Sequence, residues 1–78
     1  MPIPVTITLT QPVTGFELYD MDGGSADPIA EGDYAEGDTI KALLHSTVCC
    51  HEPHGRLKIR GNGADARLTV SAGETLWP

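Results

Sequence analysis

From Ile3 to Leu9 the chain places an aliphatic residue at every second position (Ile3, Val5, Ile7, Leu9) and fills the gaps with Pro4, Thr6 and Thr8. A helix would scatter those aliphatics around its circumference, whereas a strand turns alternate side chains to opposite faces, so the stretch reads as a half-buried β-strand. The same period returns in Leu57 and Ile59 and in Leu68 and Val70. Between these pairs, residues 61–65 (GNGAD) tolerate positive φ, which predicts a β-hairpin. Phe16 and Leu18 mark a shorter strand after the turn-formers at 11–15. Residues 74–77 can add a last strand anchored by the single tryptophan.

Between these patterns, residues 20–38 are dense in Asp, Glu, Gly and Pro and read as an acidic, turn-rich loop region containing the small tandem AEGDY-AEGDT. Its start, DMDGG, invites comparison with a calcium-binding EF-hand loop. However, Gly24 stands where a ligand is needed, Ser25 replaces the sharp-turn glycine and Pro28 interrupts the loop. Residues 39–50 (TIKALLHSTVCC) support two readings. Thr39, Ile40, Thr47, Val48 and the cysteines favour a strand, while Asp38 as a cap and the run Lys-Ala-Leu-Leu would suit a helix.

The expected fold is therefore all-β: one domain spanning 1–78, a small antiparallel β-sandwich or partly open barrel of four to six short strands. The alternative is an α+β fold with one helix at about 39–50. At 78 residues a single apolar core only just offsets chain entropy, which disfavours a large internal active-site cleft. No apolar run is long enough for a membrane-spanning helix, and the N-terminus lacks a signal-peptide pattern. The expected location is cytoplasmic, or the virion if the chain is part of a phage particle.

The chemically richest stretch is residues 45–54, HSTVCCHEPH, which holds both cysteines and all three histidines. Adjacent cysteines cannot staple a loop without a strained ring, so Cys49 and Cys50 read as free thiols or small core hydrophobes. His45, Cys49, His51 and His54 are the candidate metal ligands, and a Cys/His mixture would suit tetrahedral zinc. The spacing has neither a CxxC pair nor HExxH, and the competing reading is a strand end running into a turn. A His-activated cysteine nucleophile is conceivable, but no oxyanion hole or substrate pocket is marked, so no catalytic residue is assigned and an enzyme is not expected.

Charge supplies the second candidate site. The net charge is −6, yet all five bases lie beyond residue 40 and eight of the eleven acids precede it. Arg56, Lys58, Arg60 and Arg67 share the polar face of the expected hairpin. Asp20, Asp22, Asp33, Glu36 and Asp38 mark the acidic region, and these nine residues are the candidate partner-binding set. The basic face carries no interleaved aromatic for base stacking, and the overall charge opposes a polyanion, so nucleic acid is not the expected partner.

The residues point to a non-enzymatic protein–protein interaction module that binds copies of itself or a larger assembly. The turn-rich, all-β look is loosely similar, at the level of fold class alone, to small phage head, tail or decoration proteins. That likeness implies a structural or accessory virion component and assigns no residue a role. Two alternatives stand beside it: a small metal-binding or regulatory domain built on residues 45–54, and an acidic inhibitor that imitates nucleic acid.

Overall fold

A computed structural model describes residues 2–24, 26–48, 53–62 and 64–78 of the chain. Among them are eight strands: β1 (Pro2–Leu9), β2 (Val13–Asp20), β3 (Ala30–Tyr34), β4 (Thr39–His45), β5 (Thr47–Val48), β6 (Pro53–Gly61), β7 (Ala64–Val70) and β8 (Gly73–Trp77). They form two sheets and do not close into a barrel. One is ordered β4-β1-β8. In the other β2 lies between β3 and β6, and β6 also pairs with β7 and with the two-residue β5.

The all-β sandwich follows the alternation that predicts it. Ile3, Val5, Ile7 and Leu9 of β1, Val13, Phe16 and Leu18 of β2, Ile40 and Leu44 of β4, Leu57 and Ile59 of β6, and Trp77 of β8 meet in one core between the sheets. Phe16 sits edge-on to two rings, 5.4 Å from Tyr34 and 5.7 Å from Trp77 between centroids, an arrangement that adds to the area it buries. β6 and β7 pair as the expected hairpin, with Asn62 at φ 52°. Gly15, at φ 67°, lies where the β2–β3 register shifts between Val13 and Phe16, a bulge that needs a residue free of Cβ strain.

Several sequence expectations change. Residues 39–45 are a strand, paired with β1 from Pro2↔His45 to Thr8↔Thr39, so the helix alternative is not adopted. The chain breaks at Ser46 into β4 and β5. The acidic 20–38 region is not all loop, since Ala30–Tyr34 pairs with β2 as β3. These two features raise the strand count above the expected four to six. Pairing is antiparallel except where β8 joins β1 in parallel, from Val5↔Gly73 to Leu9↔Trp77. That pairing makes β1 the central strand of its sheet. Pro2 and Pro4 precede the segment that β8 joins, where their missing N–H groups interrupt no ladder. Among the described residues no helix is long and apolar enough to cross a membrane.

Candidate functional site

Alternation along β2 turns Phe16, Leu18 and then Asp20 toward the core, so a carboxylate follows two apolar residues inward. The Asp20 side chain is 5% exposed. Burying such a group unpartnered would be costly, and three donors prevent that. Asp20 Oδ2 accepts the main-chain N–H of His45 at 2.9 Å and lies 2.7 Å from His45 Nδ1, while Oδ1 accepts the Asp22 N–H at 3.1 Å. Burial alone would push the Asp20 carboxyl up. The His45 ring and amide and the Asp22 amide outweigh it and hold the carboxyl below its ordinary value.

His45, at the end of β4, is 69% exposed. A carboxylate can only accept, so Nδ1 carries the proton shared with Asp20, and in the neutral ring Nε2 is left as the acceptor. An imidazole oriented in this way is chemically suited to bind a metal or to take a proton. Of the other expected metal ligands, His54 lies in β6 opposite Thr47. Cys49 and His51 lie outside the described residues. Among the described residues no three His, Cys, Asp or Glu side chains gather into a metal-holding group.

The nine charged candidates fall into two sets. On the outer face of the larger sheet, register places Tyr19 beside Lys58, Lys58 beside Arg67, Glu17 beside Arg60 and Arg60 beside Asp65. Arg60 Nε is 3.2 Å from Asp65 Oδ1, and its Nη1 is 3.9 Å from Glu17. Arg56 reaches the Asp22 carboxylate through both Nε and Nη2. Lys58 Nζ sits 5.9 Å from the centroid of Tyr19. The Tyr19 hydroxyl donates to Glu17 at 3.0 Å, which holds its proton more tightly than usual. Arg67 borders a shallow depression with Met21, Arg56, Leu68 and Thr69.

The acids are also employed within the fold. Asp20 belongs to the interior and not to a partner-facing surface, because the period of β2 carries it inward. Asp33 Oδ1 accepts the Gly15 N–H at 2.9 Å, and Asp38 Oδ2 accepts the Ala35 N–H at 2.8 Å, closing the turn that exposes Glu36. Two of the eight acids of the first half thus meet bases of the second, Asp22 on Arg56 and Glu17 on Arg60.

A surface that the charge pattern did not mark lies on the outer face of the three-stranded sheet. Pro4, Thr6 and Thr8 of β1 are flanked by Leu43, Lys41 and Thr39 of β4 and, from Thr6 onward, by Glu74 and Leu76 of β8. Leu43 is 62% exposed and Leu76 67%. Pro4, Thr6, Lys41 and Leu43 line an open groove of about 520 Å3, with Ile29 also on its wall. The signal for this face was the period of residues 39–45, which separates Lys41 and Leu43 from the inward Ile40 and Leu44 once the segment is read as a strand.

No protein-family model, curated protein or solved structure matches the chain.

Proposed function

We propose that this chain is a non-enzymatic protein–protein interaction module, a small structural or accessory component of a larger assembly such as a phage virion. The observation that carries this reading is the outer face of the three-stranded sheet, where Leu43 and Leu76 stand largely in solvent with Pro4 on the same face. Single exposed aliphatics are ordinary, but Leu43 stands with Pro4 and Ile29 at an open groove and Leu76 lies on the same face two strands away, which suits a docking surface. On the opposite outer face, by contrast, Arg56 is already paired with Asp22, and Arg60 with Glu17 and Asp65.

The test compares the wild-type chain with a Leu43→Asp/Leu76→Asp variant, which should fold because neither side chain is in the core. Cross-linking followed by intact-complex mass measurement should find copies or another protein on the wild type and not on the variant. Equal, bare monomers in both samples would refute the reading.

A second reading, a small metal-binding or regulatory domain, is favoured by one observation: the Asp20 carboxylate on His45 Nδ1, the support that metal-bound histidines commonly have. On this reading zinc raises the unfolding midpoint of the wild type and not of His45→Gln. Zinc-independent melting of both would remove it.

A further inference from the structure

On the outer face of the three-stranded sheet, Lys41 and Glu74 stand on either side of Thr6, opposite it in the β4 and β8 registers respectively. Two strand spacings separate their backbones by about 9–10 Å, and the two side chains form no ion pair with each other. Neither has an ion-pair partner among the described residues. The face therefore presents one row with a cation on the left, a hydroxyl in the middle and an anion on the right.

We infer that this face docks onto the same face of a second copy, about a two-fold axis running along β1. The inference rests on the proposed interaction role and names the partner. Rotation about that axis exchanges the β4 side for the β8 side and leaves the row unchanged. Each Lys41 then faces the other copy's Glu74, and the contact forms twice, as an isologous interface requires. The same operation lays each Leu76 over the other copy's Thr39. Leu43 falls into the step beyond the start of β8, which begins opposite Val5. A two-fold axis across the strands would instead set Lys41 against Lys41 and Glu74 against Glu74, so charge selects the first arrangement.

Aligned sheets cross at about 30°, and at one strand from the axis this displaces the two charges by only about 2–3 Å, within the reach of a lysine. The face measures about 350 Å2 per copy from strand spacing and rise, or about 700 Å2 in total. Stable complexes bury about 1,200 Å2 or more, so the dimer is weak and concentration-dependent. Such contacts matter where copies are already held close together in an assembly.

The experiment is a charge-reversal cycle read by sedimentation equilibrium from about 10 μM to about 1 mM, a range matched to weak association. The average mass of the wild type should rise with concentration. Lys41→Glu and Glu74→Lys should each weaken association by roughly tenfold or more, because each places two like-charge contacts in the dimer. Combining them should restore it, since the reversed pair is again complementary. Urea midpoints confirm that each variant is folded. A wild type that stays monomeric at about 1 mM, or a double variant no better than the singles, would overturn the inference. If the Leu43→Asp/Leu76→Asp variant meanwhile loses a different protein that the wild type holds, the self-docking inference fails while the interaction role stands.

Discussion

Asp20 and His45, twenty-five residues apart, tie the end of β2 to the end of β4 through one carboxylate oxygen, 2.9 Å from the His45 main-chain nitrogen and 2.7 Å from its Nδ1. The strands belong to different sheets, so this pair is a polar clasp across the sandwich at the point where the chain leaves β4. Replacing Asp20 by Ala strands the His45 and Asp22 amides and should lower stability by about 1–3 kcal/mol in urea unfolding. A loss no larger than that of an exposed acid such as Glu36→Ala would show that solvent substitutes for the carboxylate.

The clasp should also give the protein an acid-sensitive stability. Asp20 in the fold is held below its ordinary value, so the folded state takes up its proton less readily than the unfolded chain. The stabilisation is therefore complete above the unfolded value of about 3.9 and is lost as the pH falls through the folded value. Asp20→Asn removes this contribution. Between about pH 5 and pH 2 the urea midpoint of the wild type should fall further than that of the variant. Parallel curves would mean that other carboxylates carry the acid response.

At Gly61 the β6 backbone runs close against the core. A Cβ there would stand 2.7 Å from Val13 Cγ1 and 2.8 Å from Trp77 Cη2. Gly61→Ala must push Trp77 off Phe16 or bend β6, and should cost about 1–3 kcal/mol with a change in near-UV circular dichroism from the tryptophan. Ser71→Ala, on the surface, should stay within about 0.5 kcal/mol and serves as the control.

How far the sequence discloses this molecule depends on whether a residue's neighbours are local. β1, β6 and β7 are legible because their aliphatics alternate in place. β3 is not, since the tetrapeptide AEGD occurs twice and takes two conformations: Ala30 to Asp33 lie in a strand, while Ala35 to Asp38 form a turn. What separates the copies is non-local, namely the Tyr34 ring against Phe16 and the Asp33 carboxylate on the Gly15 amide. Composition alone places Asp20 in the acidic region, because its neighbours in sequence are acidic. The period from Phe16 through Leu18 already pointed it inward, but its partner His45 is reached only through the sheet pairing. The Lys41–Thr6–Glu74 row likewise needs the parallel register of β8 on β1, which no local pattern encodes.

Asn62 offers a way to separate backbone from side-chain contributions in one turn. Its φ of 52° lies in the left-handed region, its N–H donates to the Thr14 carbonyl at 3.1 Å, and its Oδ1 accepts from the Thr14 N–H at 3.0 Å and hydroxyl at 2.9 Å. Asn62→Gly keeps the backbone conformation and loses only the side-chain acceptor. At this exposed site water partly replaces that acceptor, so the loss should be below about 1 kcal/mol. Asn62→Ala loses the acceptor and also places a Cβ in the left-handed region without a polar group to compensate, which should raise the loss to about 1–2 kcal/mol. Urea unfolding of the two variants measures the difference directly. If both fall equally, the turn is held by the Thr14 contacts alone, and the positive φ is a consequence of them rather than a separate requirement on the residue.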